Sequence, residues 1–554
     1  MDIINIMING VNGVLWGAPM LVLMLFSGAY FSVRTGFFQV RHIGKWLRCT
    51  VFSKSRGSSA EGSVTPFQAM SSALAATLGT GNIAGVAAAL VTGGAGAVFW
   101  MWVSAVLGMM TGYAENLLGC LYRRKNTDGS WQGGAMMYIR GGLSEKRFTK
   151  RLGKPLAAVF AGACVLSAFG MGNIVQMNCA AQAINAGFGV PGIVTGVVLA
   201  GITGAAFFCG KGKSGAQRTA AVTSRVVPVM SALYIAAAVY IIAVNITRIP
   251  EVMGLIFRSA FGLEATAGGV SGYMVKQAVS MGFRRGVFSN EAGLGSSVAA
   301  HAASDVTEPC VQGMWSIFEV FFDTIVMCSM TAFVLLASPC RELPAQEVFR
   351  NITTQPQYFR LTDAEGLITS GAPLLTTGVG ERTVMRTASG EEFTVRISGG
   401  GVTCTNVMKV TGIQSRGAGG ELLWEDGAPV IRDIRLEEVT GAELMTVAFS
   451  SVFGGAAGKL LSAAVSLFAF TTVIGWGSFG SQAAEYLAGT RAVLPFRLVY
   501  TALAAVGGVI DLSAAWGIAD MFNGVMAAVN LPVVLVLSGT VFRETRRYLS
   551  QERG

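Results

Sequence analysis

Thr77-Leu78-Gly79-Thr80-Gly81-Asn82-Ile83-Ala84-Gly85 sits in the middle of an apolar window spanning residues 64 to 92. At membrane depth every backbone polar group needs an internal partner, so a Gly-rich stretch there is either closely packed or deliberately broken. Packing accounts for Gly81 and Gly85, which form a small-xxx-small pair, but not for Thr80 and Asn82. A broken helix presents free N–H groups and a positive dipole end, which suit a carboxylate, and free carbonyls, which suit a small cation. From the residues alone, a packing seam and a binding break both remain open.

The premise that this window crosses a bilayer rests on composition. Of 554 residues, 52% are hydrophobic and 13% charged, and the mean hydropathy is +0.55. These values lie outside the range of soluble domains. The formal charge of +10 does not indicate nucleic acid, because Lys and Arg cluster in short stretches between apolar segments rather than on one basic face. Two His and nine Cys without a Cys-x-x-Cys pair give no zinc or haem spacing. No nucleophile–base constellation suggests an enzyme, and no cleavable leader is read before the first apolar run.

Outward from residue 80, apolar windows fall at 12–34, 64–92, 95–120, 156–187, 190–209, 224–245, 271–303, 312–337, 445–473, 495–511 and 513–540, about eleven spans. The basic stretches at 34–56, 122–154, 211–225, 491–497 and 543–553 then share one face. The positive-inside rule makes that face cytoplasmic. The expectation is a multi-pass protein of the cell (inner) membrane, all-α in its spanning part, with its N-terminus outside and its C-terminus cytoplasmic.

Residues 339–443 change character to a polar stretch on the outer side. Glu392-Phe393-Thr394-Val395-Arg396-Ile397-Ser398 alternates apolar and polar, with Gly-rich turns at 398–401 and 417–420. This predicts a small β-rich extracytoplasmic insertion, a disordered insertion being the alternative. The chain then divides into 1–338 (an extra helix, a first five-helix repeat and the start of a second), 339–443, and 444–554 (the rest of the second repeat and a tail). Cys340 and Cys404 lie on the outer face, where an oxidising compartment would let them bridge.

An inverted repeat places a second break in the matching span of the other half. Residues 282–296, Gly-Phe-Arg-Arg-Gly-Val-Phe-Ser-Asn-Glu-Ala-Gly-Leu-Gly-Ser, fit that position: the spans divide five and five with 12–34 left over. By charge alone Arg284, Arg285 and Glu291 would mark a solvated loop; the repeat position favours a break in which Asn290 meets substrate or ion and Glu291 pairs with an Arg. Elsewhere, Asn178 and Gln182 lie one helical turn apart, with Gln176 on another face. Such amides serve as interhelical glue or as ligands. Glu319 and Asp323 share a face and either pair with Lys or Arg or do work; Glu115 reads as structural. Thr471 and Thr472 end the span before Trp476 and offer oxygens, though Thr in membrane helices often bonds only its own backbone.

Several of these stretches resemble the alanine or glycine:cation symporters, also called the sodium:alanine symporter family. They are Gly79-Thr80-Gly81-Asn82-Ile83-Ala84-Gly85, the run from Arg285 to Gly295, Ala519-Asp520-Met521-Phe522-Asn523-Gly524, Phe99-Trp100-Met101-Trp102 and Gly475-Trp476. The resemblance implies a LeuT-type 5+5 inverted repeat, import of alanine or glycine, and sodium as the coupling ion. It implies that Gly79, Thr80, Gly81 and Asn82 line the substrate and ion site, with Gln176 contributing from the third repeat helix. Phe288, Asn290 and Trp476 complete the pocket. A LeuT-type fold places a sodium site between the first and eighth repeat helices, hence the sodium role for Thr471 and Thr472. Asp323 matches a family position and is a possible further ligand.

The sequence departs from the family pattern at Ala95 and Ala135, where prolines are usual, and at Gly477-Ser478-Phe479-Gly480-Ser481. It also carries the 339–443 stretch, for which the family pattern has no counterpart. The expectation is sodium-coupled symport of a small neutral amino acid by alternating access, with the substrate, sodium and the lipid bilayer as partners and none named by the sequence for the 339–443 stretch. The competing readings are a proton-coupled or exchanging transporter of the same fold and an amino-acid-binding membrane sensor.

Overall fold

The computed structural model describes residues 10–53, 64–125, 131–209, 215–262, 268–338, 441–508 and 512–551, together with short strands between 343 and 438. Among the described residues, seven helices are long and apolar enough to cross a bilayer: Gly10–Arg34, Gly96–Tyr122, Gly153–Asn185, Gly215–Val244, Pro309–Ala337, Ala457–Ala488 and Trp516–Val536. Pro66–Thr77 and Thr80–Gly93 form an eighth span bent by 61°. Three further expected segments miss those limits. Gly192–Phe208 and Val493–Gly507 have 17 and 15 residues, and Gly268–Asn290 carries Lys276, Arg284 and Arg285.

Large apolar side chains are exposed along these helices at helical spacing. Val229, Leu233, Tyr240 and Val244 form one ridge on Gly215–Val244, and Val194, Val198 and Ile202 another on Gly192–Phe208. Apolar ridges of this extent are stable against lipid and costly in water. The chain is a multi-pass helical membrane protein.

The bent span shows how local chemistry makes a break. Thr65 and Gln68 cap Pro66–Thr77 reciprocally, with Pro66 at the first helical position. The helix stops at Thr77 because Leu78 turns to ψ 77° and Gly79 extends to φ −120°, ψ −156°. One tight turn, Thr80–Asn82, follows before the helix resumes at Ala84. The second break begins where Gly268–Asn290 ends: Glu291 adopts φ 55°, the left-handed conformation usual for glycine at a helix end. Gly293 and Gly295, at φ 97° and 72°, carry the chain to the short helix Val298–His301.

Two other spans contain widened π turns, Gly170–Ile174 and Phe321–Cys328, a local unwinding often found at functional positions. Ala457–Ala488 packs against the first of them and against Gly153–Phe169, Val175–Phe188 and Pro66–Thr77. Gly475 permits this approach, since a β-carbon there would meet Ala76 Cβ at 2.8 Å.

The structure corrects one boundary. The span expected at 445–473 is two helices, Gly441–Phe453 and Ala457–Ala488, and the second continues through Trp476 instead of ending before it. Gly475, Gly477 and Gly480 lower intrinsic helix propensity there, but their small size lets neighbouring helices and the Phe207 and Phe496 rings close on the backbone. Tertiary packing outweighs propensity.

In the 339–443 stretch, Arg382–Arg386 pairs antiparallel with Glu392–Arg396, and Val407–Gln414 with Asp433–Glu438. Cys340, Cys404 and the turns at 398–401 and 417–420 lie outside the described residues.

Candidate functional site

Asn82, wholly buried, is the hub of the interior. Its side-chain amide donates to Asp323 Oδ1 at 2.8 Å and Ser289 Oγ at 2.9 Å, with the Asp323 carbonyl at 3.2 Å. Its Oδ1 accepts from the backbone N–H of Gly79 at 3.2 Å. The Asn82 carbonyl, freed by the break, accepts from Thr331 Oγ1 at 2.8 Å, and that hydroxyl lies 2.6 Å from Tyr234 Oη. One residue therefore folds the first break back on itself and ties it to two other spans.

Asp323 answers from the π turn. Its Oδ2 accepts from Ser289 Oγ and from Thr324 Oγ1 at 2.9 Å. Asn290 Nδ2 donates to Thr324 Oγ1 at 3.0 Å, which brings the last turn before the second break into the same network. Among the described residues no Lys or Arg pairs with Asp323. Three donors solvate this buried carboxylate, a cheaper arrangement than leaving it bare at membrane depth. The cluster is rich in oxygen, the donor type that hard cations require.

On the other side of the first break, Gln176 Oε1 accepts from Thr80 N–H at 3.2 Å and Thr80 Oγ1 at 3.0 Å. Thr472 Oγ1 lies 3.4 Å from the Leu78 carbonyl and donates to Phe468 O at 3.0 Å. A β-carbon on Gly79 would stand 2.7 Å from Thr472 Oγ1 and 3.0 Å from Gln176 Oε1. Gly79, Thr80, Gln176 and Thr472 thus converge. Thr471 does not join them: its hydroxyl bonds Phe468 O and turns toward Met230 Sδ at 3.6 Å.

Phe288 packs beside the network in an apolar cluster with Trp16, their ring centroids 4.7 Å apart. The nearest atom to a β-carbon on Gly81 would be the Phe288 carbonyl, at 3.9 Å. Trp476 lies across the interior with its ring against Gly172, where any side chain would collide with it. Its indole N–H donates to Glu291 Oε1 at 3.0 Å.

That contact corrects the expectation that Glu291 pairs with an Arg. Glu291 accepts from Trp476 and Ser296, while Arg284 pairs with Asp520 at 3.4 Å. The left-handed backbone turns the Glu291 carboxylate inward, away from the arginines about two turns earlier on the helix. Glu319 also finds no Lys or Arg among the described residues; its Oε2 is 2.7 Å from His301 Nε2, both side chains buried. Glu115 braces the second break. It accepts from Gly293 N–H at 3.2 Å and from Asn530, whose amide also bonds the Gly293 carbonyl at 2.9 Å.

Thr324, the hydroxyl next to Asp323, adds an oxygen as its position in the sequence suggests, while Ser289, Thr331 and Tyr234 join the network without an individual signature in the sequence. Thr331 and Tyr234 are ordinary span residues until the Asn82 carbonyl comes between them and the break.

The sequence model of the sodium:alanine symporter family matches residues 1–359 and 428–554. The unmatched part is shorter than the 339–443 stretch distinguished by composition. The sodium/alanine symporter AgcS of Methanococcus maripaludis is 34% identical, across 99% of this chain and 98% of its own length. The amino-acid carrier protein AlsT of Bacillus subtilis is 28% identical across 99% and 93%. A crystal structure of the Eremococcus coleocola manganese transporter superposes with a TM-score of 0.45 at 11% identity, over 85% of this chain and 77% of that one. The chain belongs to the sodium:alanine symporter family.

Proposed function

We propose that this member of the sodium:alanine symporter family imports a small neutral amino acid, alanine or glycine, together with sodium, by alternating access. The observation that carries the reading is the network running from Asn82 through Ser289, Asp323 and Thr324 to Asn290. It joins the two broken spans at membrane depth, where polar groups are expensive unless they serve a purpose.

In this reading Gly79, Thr80, Gly81 and Asn82 receive the substrate carboxylate at the free N–H end of the half-helix, with Gln176 setting the orientation of Thr80. The Leu78 carbonyl and Thr472 Oγ1 offer oxygens to sodium on one side of the break; Asp323 offers a second oxygen cluster on the other. Phe288 and Trp476 wall the space, and their bulk favours a side chain no larger than a methyl group. The eleven expected spans are arranged as a 5+5 inverted repeat behind an extra first helix. Its N-terminus is outside, its C-terminus cytoplasmic, and a small β-rich domain at 339–443 lies on the outer face. The two breaks in matching spans and the one-sided basic loops support this arrangement.

In proteoliposomes, labelled alanine is expected to accumulate under an inward sodium gradient and to stop when potassium replaces sodium. Uptake indifferent to sodium that follows a proton gradient would give the coupling role to protons.

A further inference from the structure

A cavity of about 160 Å³, partly open to the exterior, lies where three segments meet at one end of the spans. Phe67 and Met70 line it from the first turns of Pro66–Thr77, Val311, Trp315 and Phe318 from Pro309–Val320, and Cys49 from the end of the short helix Ile43–Cys49. Met70 and Trp315 are buried and Phe67 is 39% exposed, so the space has an apolar back and an open side. Walls of this kind hold water poorly and hydrocarbon well.

Its position decides what it faces. Pro66 and Pro309 each begin a helix of a span, so the first turns lie at the depth where acyl chains meet headgroups. The rings of Phe67, Trp315 and Phe318 stand edge to face there, with centroids 6.0 Å apart in each pair; aromatic clusters are favoured at that depth. Ile43, Val51 and Phe52, on the segment that supplies Cys49, are exposed.

The same segment carries the charge. Residues 34–56 hold six Lys and Arg and no Asp or Glu, and a cluster of that size beside a span attracts anionic headgroups. Lys45 is tied to the cavity through Tyr548: its Nζ is 4.9 Å from the centroid of that ring, and Cys49 Sγ is 3.8 Å from its Oη. Arg48, next to Cys49 in the chain, is exposed and pairs with no carboxylate among the described residues. Glu308, just before Pro309, is already held by Arg547 at 3.0 Å.

We propose that this cavity binds one anionic phospholipid, with a segment of one acyl chain between Phe67, Met70 and Trp315 and the phosphate against Lys45 and Arg48. The lipid bridges Pro66–Thr77, which leads into the first break, and Pro309–Val320, which leads into the π turn that carries Asp323. It steadies both elements without entering the central network. A phosphate alone lacks the chain and a zwitterionic lipid lacks the net charge, so neither fills the site as well.

The test reads maleimide labelling of Cys49, by peptide mass spectrometry, on the purified full chain in nonionic detergent. Phosphatidylglycerol, phosphatidylcholine with the same acyl chains, or glycerol phosphate is added. Cys209, exposed at the end of Gly192–Phe208, is the internal reference. Phosphatidylglycerol is expected to slow Cys49 about tenfold and Cys209 less than about twofold, at a concentration about fivefold or more below that of phosphatidylcholine. Glycerol phosphate is expected to do nothing. In the double variant Lys45→Gln, Arg48→Gln the two lipids should act within about twofold of each other. No slowing by either lipid, equal slowing by both in the wild-type chain, slowing by glycerol phosphate or equal slowing of Cys209 overturns the proposal. Should Cys49 be unreactive without lipid, native mass spectrometry decides: one phosphatidylglycerol is retained per wild-type chain and none in Val311→Trp, whose ring fills the cavity. No retained lipid, or retention unchanged in Val311→Trp, overturns it. If that variant fails to fold, the double variant answers in its place, by retaining phosphatidylglycerol no better than phosphatidylcholine; a preserved preference overturns the site.

Discussion

The two breaks solve one problem, how to interrupt a helix where no water can satisfy it, with different chemistry. At the first, from Leu78 to Ile83, the freed groups are met by neutral partners: Gln176 for Thr80, Asn82 for Gly79, Thr331 for the Asn82 carbonyl. At the second, two buried carboxylates do the work. Glu115 takes the Gly293 N–H and Asn530, and Glu291 takes Trp476 and Ser296. The backbone groups of the first break are closed by neutral partners, and those of the second by carboxyl side chains that each bridge two partners and so brace the frame.

Four substitutions would break or sharpen that contrast. The largest effect belongs to the frame. Glu115→Ala orphans the Gly293 N–H and the Asn530 amide and should cost about 3 kcal/mol or more. Gel filtration after graded heating would show it as early loss of the monodisperse peak; a wild-type profile would mean that the second break does not depend on its carboxylates. Asn82→Ala is expected to lower sodium-driven alanine uptake about a hundredfold or more, with expression and elution unchanged. Wild-type flux would remove Asn82 from the site. Thr472→Val should leave alanine affinity at saturating sodium unaltered and raise the half-saturating sodium concentration about fivefold to tenfold, read from sodium titrations of binding. The smallest change is expected from Thr471→Val, under about twofold in the same titration, because that hydroxyl faces Met230 and not the break. A large effect there would move the cation site to the other side of the helix.

Much of the first break is legible in the sequence. Gly79, Thr80 and Asn82 are conspicuous because lipid penalises them, and Asp323 is conspicuous for the same reason. Ser289 is not: a single hydroxyl in a span can bond its own helix at little cost, so nothing marks it until Asn82 and Asp323 arrive on either side. Glu291 misled for a related reason. Two arginines lie close by in sequence, and only its left-handed backbone shows that the carboxylate turns from them toward Trp476, 185 residues away. The continuation of Ala457–Ala488 past Trp476 is hard to see in the sequence, because Gly475, Gly477 and Gly480 lower the intrinsic helix propensity there. They are instead points of contact, and contact depends on which helices are neighbours.

Composition and periodicity by themselves determined that this is a multi-pass membrane protein with an interrupted span around Gly79, since the penalties that lipid imposes on polar groups are local and fall on each residue where it stands. Only the tertiary structure decided what the interruptions meet. The partners of Asn82 and the Trp476 that meets Glu291 come from spans far apart in the chain, and a buried polar group is satisfied by whichever donor or acceptor the packing brings to it, not by the one nearest in sequence.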